Sequence, residues 1–110
     1  MRQGEIWYAD LNPTLGSEQA GFRPMAILSG NMLNEYLEIV IACPLTTKVK
    51  GYKGNLVIQP NAENGLSSTS EVLIFHIRSI SKLRLKRKIG QLRPDQVAEL
   101  KGSLNDILRY

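Results

Sequence analysis

A chain of 110 residues is long enough for one domain with one modest core. Its 43% hydrophobic and 22% charged residues are ordinary for a folded protein and exclude a disordered one. The net charge of +4 favours an anionic partner such as nucleic acid without specifying one. No apolar run nears the roughly 18 residues that a bilayer crossing needs, and none opens the chain as a signal peptide would. The expectation is one soluble, cytoplasmic domain over residues 1–110.

The chain holds one cysteine, Cys43, and one histidine, His76. A zinc site of the Cys/His type is therefore not available, and neither is a two-histidine nuclease mechanism within one chain. No GxxxxGK[ST] or GxGxxG pattern occurs, which argues against a nucleotide cofactor. Cys43 ends the apolar run Ile39-Val40-Ile41-Ala42-Cys43 and reads as a small buried hydrophobe.

Taken in order, residues 5–11 are rich in strand formers and stop at the turn signal Asn12-Pro13. The segment Gly16-Ser17-Glu18-Gln19-Ala20-Gly21-Phe22-Arg23-Pro24 reads as a polar loop. It concentrates two glycines, a carboxylate, an amide and a guanidinium between two apolar runs. Residue types alone leave two readings open: a hairpin loop with Arg23 and Glu18 paired at the surface, or a ligand site.

A second strand is expected over 24–29, a single helical turn over 31–35, and a strong third strand over 37–45, where β-branched residues run together. Residues 46–54 form a second polar loop, this one basic, and a short strand follows over 55–59. Residues 60–68 are rich in turn formers. The apolar run 71–77 reads as one strand and 86–92 as the last. From Pro94, Val97, Leu100, Leu104, Ile107 and Leu108 recur at helical spacing, although Arg93 is a poor N-cap and predicts a frayed first turn. Six short strands and one C-terminal helix indicate a mostly β protein, a small half-open β-barrel or strongly curved sheet.

Four stretches, in this order, resemble the MazF/PemK family of toxins, the mRNA interferases. They are Gly4-Glu5-Ile6-Trp7 with Asp10-Leu11-Asn12-Pro13; the GSEQAGFRP loop; Pro44-Leu45-Thr46-Thr47; and Ile77-Arg78-Ser79-Ile80 with Lys82-Leu83-Arg84-Leu85. The resemblance implies an SH3-like half-open barrel with a C-terminal helix (the MazF/PemK/CcdB-like toxin fold) and a homodimer. It also implies a metal-independent, sequence-selective endoribonuclease acting on single-stranded RNA without a cofactor, and neutralisation by a cognate antitoxin, a short protein with an acidic C-terminal segment. A related branch of the fold instead poisons DNA gyrase by binding, without nuclease chemistry. Retention of Arg23, Thr46 and Glu18 favours the enzyme.

The family reaction is attack by a ribose 2′-hydroxyl on the adjacent phosphate, leaving a 2′,3′-cyclic phosphate and a 5′-hydroxyl. It needs charge stabilisation at the phosphorane, a base near the attacking hydroxyl and an acid near the leaving oxygen. By resemblance Arg23 is the catalytic arginine, suited to gripping phosphate oxygens with its planar fork but not to acting as a base, since it stays protonated. Thr46 is the catalytic threonine, although a strand-end threonine bonded to its own backbone is the plainer reading. Glu18, the carboxylate of the motif, either orients Arg23 or takes the 2′-hydroxyl proton.

Candidate RNA contacts are Ser17, Gln19 and Phe22 in the first loop, and Thr47, Lys48, Lys50, Tyr52 and Lys53 in the second. His76, Arg78, Arg84 and Arg87 complete the set. Tyr52 and Phe22 lie beside cations in loops and suit base stacking. His76 replaces the family's usual glutamine, and reads either as a packed or hydrogen-bonded strand histidine or as an RNA contact or proton carrier. Lys82, Arg84, Lys86, Arg87 and Lys88 place five cations in seven residues, a solvated strand face or a phosphate track. One branch of the family works through an arginine and an aspartate on the fifth strand and a histidine in the first loop. Here those positions are Leu73, Phe75 and Ser17, which points to the Arg23/Thr46 version.

Overall fold

The computed structural model of the protein describes residues 1–12 and 21–110. Its described strands are β1 (Glu5–Asp10), β2 (Phe22–Ile27), β3 (Ile39–Thr46), β4 (Leu56–Ile58), β5 (Ser70–Val72), β6 (Arg78–Ser81) and β7 (Leu85–Gln91). A short helix α1 (Asn31–Tyr36) links β2 to β3, and α2 (Pro94–Arg109) closes the chain. All pairings are antiparallel, in the order β4-β5-β3-β2-β1-β7 with β6 also on β3. The result is the expected mostly β, half-open barrel with a C-terminal helix.

Seven strands stand among the described residues where six were expected: the apolar run 71–77 is strand only as far as Val72, and β6 forms beyond it over Arg78–Ser81. Leu45 faces Val72 on β5, and an unbroken ladder would then set Ala42 opposite Phe75. Ala42 faces Arg78 instead, and the surplus residues form a 3-10 turn over Ile74–His76. The break is held from outside the run. Leu73 N–H donates to the Pro44 carbonyl at 2.9 Å, and Ile74 N–H to Asn55 Oδ1 at 2.9 Å. Apolar periodicity cannot encode such a break, since Val72, Leu73, Ile74 and Phe75 all suit a strand. His76 is consequently a turn residue and exposed, not a packed strand histidine.

The second strand begins at Phe22, two residues before the expected start. Phe22 and Arg23 therefore belong to the sheet, paired with Asp10 and Ala9 of β1, rather than to the loop. Thr46 likewise lies inside β3. The arginine and the threonine of the motif thus both stand on ladder-bonded strands.

The central strands are covered on both faces, which is why β3 is apolar almost throughout instead of alternating. One face joins Ile6, Ala26, Cys43, Leu45 and Val72 to Val97 and Leu100 of α2. The other joins Ala9, Met25, Ile27, Val40 and Ala42 to Ile80 and Leu85, as the curling sheet brings β6 and β7 over it. Cys43 is fully buried as expected, and burial pushes its thiol up to about 12. The start of α2 is also better held than Arg93 suggested. Gln96 Oε1 accepts the Arg93 N–H at 3.0 Å, supplying half of a capping box from three residues ahead.

One close backbone approach fixes the outer edge. A Cβ on Gly90 of β7 would lie 2.4 Å from backbone atoms of Glu63 and Asn64, so only glycine fits there. Asn64 is itself buried, and its side chain donates to the Gln59 carbonyl at 2.9 Å.

Candidate active site

Three strands bring the site together in one cross-strand row. Met25 faces Pro44 between β2 and β3, and extending that register by two residues sets Arg23 level with Thr46. Thr46 in turn faces Glu71 on β5. Residues that face one another across an antiparallel pair project to the same side of the sheet. Arg23, Thr46 and Glu71 accordingly line one cleft of about 270 Å³, which Lys48, Lys50, Tyr52, Leu73 and His76 complete.

Arg23 is half-buried, and its Nη1 donates to the Leu45 carbonyl at 3.3 Å, a long bond. Its Nε is buried with no hydrogen-bond partner among the described residues. The unpartnered Nε is a cost to stability, and among the described residues the bond to Leu45 is the one side-chain hydrogen bond of the guanidinium. Thr46 Oγ1 accepts the Lys48 N–H at 3.1 Å, the local backbone bond of the plainer reading. That bond occupies a lone pair and leaves the hydroxyl proton for donation into the cleft. The two readings of Thr46 are compatible.

Glu71 was missed as a site residue, being read only as the start of a strand. Its side chain is fully buried. Oε1 accepts from Lys50 N–H at 2.7 Å and Gly51 N–H at 2.9 Å. Oε2 accepts from Tyr52 N–H at 3.1 Å and Asn55 Nδ2 at 2.8 Å. Burial alone would raise its pKa. The Asn55 amide and the backbone N–H groups of Lys50, Gly51 and Tyr52 outweigh that and hold it below the ordinary carboxylate value. The sequence signal is weak: a carboxylate at the border between the polar Ser67-Ser68-Thr69-Ser70 and the apolar run from Val72.

The remaining candidates divide. Thr47 is exposed beside Thr46, and Phe22 is exposed beside Arg23. Tyr52 presents an exposed ring at the cleft. Lys53 lines a neighbouring groove with Phe75 and the end of α2. Arg78 stands on β6 opposite Ala42. Ser17, Glu18 and Gln19 lie outside the described residues.

The basic run 82–88 is engaged elsewhere. Arg84 Nη1 donates to the carbonyls of Asp10 at 3.0 Å and Asn12 at 2.8 Å, tying down the end of β1. Arg87 stacks over the Tyr8 ring at 5.4 Å, and Lys88 pairs with Glu5 at 3.1 Å. Lys82 donates to the Asn34 carbonyl and Lys86 to that of Leu83. The described cations that line the cleft come from β2 and the 46–54 loop.

The arrangement offers a guanidinium, a hydroxyl and two lysines around a space the size of a phosphodiester, with an aromatic ring at its side. Among the described residues no group of His, Cys, Asp and Glu is placed to hold a metal ion, and no helix is long and apolar enough to cross a membrane.

Residues 2–108 match the family described as PemK-like, MazF-like toxin of type II toxin-antitoxin system. Over 106 residues the chain is 31% identical to Endoribonuclease MazF of Staphylococcus saprophyticus, covering 96% of this chain and 88% of that one. Among solved structures it is similar to MazF from Deinococcus radiodurans, with a TM-score of 0.85, 29% identity and coverage of 100% and 97%. A MazE-MazF structure from the same organism matches with a TM-score of 0.78 and 30% identity, covering 99% of this chain and 96% of that chain.

Proposed function

The chain belongs to the MazF-like toxin family and is an endoribonuclease, and on that premise we propose that it cuts single-stranded RNA by 2′-hydroxyl attack on the adjacent phosphate. The observation that carries this reading is the cross-strand row itself, which brings Arg23 and Thr46 into one cationic cleft.

In this reading the Arg23 guanidinium, which lines the cleft, holds the non-bridging oxygens of the phosphorane. Thr46 donates its hydroxyl proton to the same oxygens. Lys48 and Lys50 hold neighbouring phosphates, and Tyr52 stacks on an unpaired base. Glu71 is not the base, because both its oxygens are saturated by four N–H donors. The 2′-hydroxyl proton is assigned to Glu18, the carboxylate of the motif, and the departing 5′-oxygen takes a proton from solvent water to leave as the 5′-hydroxyl.

The partner proposed for the cleft is an antitoxin with an acidic segment, whose carboxylates would meet the same cations. A D. radiodurans relative has been solved as a MazE-MazF structure. A second copy of the chain is the occupant assigned to the exposed apolar patch of Tyr36, Leu37 and Leu83, which line one groove. Glu35 and Glu38 lie beside Lys82 around the groove there, so acid and base can exchange across a twofold axis.

The test is incubation of the purified protein with long single-stranded RNA in EDTA, with the cut ends mapped. Cyclic-phosphate and 5′-hydroxyl ends that vanish in Arg23→Ala and Thr46→Ala are expected. Absence of any cut, or cutting only with Mg²⁺, refutes the reading.

A further inference from the structure

Glu71 belongs to none of the roles just assigned, yet it is the most heavily bonded side chain at the cleft. We propose that Glu71 is a positioning residue of this site: its buried carboxylate gathers the backbone of Lys50, Gly51 and Tyr52 and so fixes the loop that presents Lys48, Lys50 and Tyr52 to RNA. The inference rests on the endoribonuclease reading for its substrate and on the geometry for its mechanism.

Loop 47–54 has no strand partner of its own. Its turn contains Gly51 at φ 69° and Gly54 at φ 95°, conformations that leave successive N–H groups pointing inward. Those donors need an acceptor, because an unpaired buried N–H is costly. Glu71 supplies it to three consecutive residues, from the strand that also faces Thr46. Asn55 completes the clamp, giving its amide N–H to Glu71 Oε2 at 2.8 Å and accepting the Ile74 N–H at 2.9 Å. One carboxylate thereby joins the loop, β5 and the 3-10 turn that carries His76. The side chains of Lys48, Lys50 and Tyr52 are left exposed for a ligand.

Glu71→Gln separates this role from simple electrostatics, because the two predict opposite signs. Removing a negative charge from beside a cleft that binds an anion should by itself tighten RNA binding. Losing the loop should weaken it, since the replacing amide turns an N–H toward donors where an acceptor stood. The probes are a long single-stranded RNA for cleavage and a 2′-O-methyl oligonucleotide, which has no attacking hydroxyl, for binding.

In Glu71→Gln the expected result is a KM and an oligonucleotide Kd raised about tenfold, with kcat changed by less than about threefold. Amide exchange should accelerate far more at Lys50, Gly51 and Tyr52 than at Cys43 in the core. Asn55→Ala, which leaves the charge in place, should shift KM in the same direction by a smaller factor.

Unchanged or tighter binding overturns the proposal, as does a collapse of kcat at constant KM. Exchange that rises in the core as much as in the loop also overturns it, by making Glu71 a general stability residue. If wild-type protein binds the oligonucleotide but cuts no RNA, the nuclease reading fails alone, and the binding and exchange results still decide the role of Glu71.

Discussion

Replacing Arg23 by methionine should cripple the enzyme and stabilise the fold. Methionine keeps an unbranched stem of similar length against the strand and removes the guanidinium. The bond lost in the folded state is Nη1 to the Leu45 carbonyl at 3.3 Å, at the weak end of the hydrogen-bond range and worth about 0.5 kcal/mol. Against this stands the buried, unpartnered Nε, whose removal returns about 1–2 kcal/mol of desolvation cost. The net is a gain of about 1 kcal/mol, or roughly 4 °C in Tm for a domain of this size. Catalysis moves the other way. Loss of the oxyanion donor removes about 3 kcal/mol of transition-state stabilisation, on the order of 10² to 10³ in kcat. Urea melts and single-turnover cleavage of RNA measure the two quantities on one preparation. A kcat within about tenfold of wild type would falsify the charge-stabilising role. A loss of more than about 1 kcal/mol of stability would show instead that the guanidinium is there to hold the sheet.

Further outcomes follow from the same geometry. Glu71 has a folded pKa below its unfolded value, so its stabilisation is complete above the unfolded value and is lost as pH falls through the folded one. The stability gap between wild type and Glu71→Gln should therefore be widest near neutral pH and close in acid; a gap that is flat with pH contradicts the burial of a charged carboxylate. Arg84→Ala removes bonds to two carbonyls at the end of β1 and should cost about 2 kcal/mol in urea unfolding. A loss of RNA affinity at unchanged stability would place Arg84 on the substrate instead. Cys43, buried and with its thiol pushed up to about 12, should resist iodoacetamide in the native protein at mildly alkaline pH and react once urea unfolds it; modification of folded protein would show the core to be open there. The double substitution Tyr36→Lys, Leu83→Glu should leave a folded monomer by sedimentation, whereas persistence of a dimer would move the interface off that patch.

Much of the molecule is legible from sequence because local physics decides it. Apolar periodicity announces α2, and the β-branched run of Ile39, Val40 and Ile41 announces β3. Cys43 reads as core because nothing polar surrounds it. The motifs name Arg23 and Thr46, although a polar, glycine-bearing segment looks like loop and so hides that Arg23 is a strand residue paired with Ala9. The basic run 82–88 marks a charged face but cannot say which carbonyls, rings and carboxylates its cations will meet.

What only the tertiary structure decides is which distant segments become neighbours. At the break between β5 and β6, Leu73 N–H still reaches the Pro44 carbonyl in register, but Pro44 has no N–H to return, and Ile74 N–H goes instead to Asn55; neither partner adjoins them in sequence. The same holds for the site. Arg23, Thr46 and Glu71 are spread over three segments and meet only through the registers of β2, β3 and β5. Hydropathy treats Glu71 as one more polar residue after Ser67-Ser68-Thr69-Ser70, at the edge of the apolar run. Its purpose appears only when the fold sets a loop of unpaired N–H groups against it, because a buried charge is tolerable only where donors surround it.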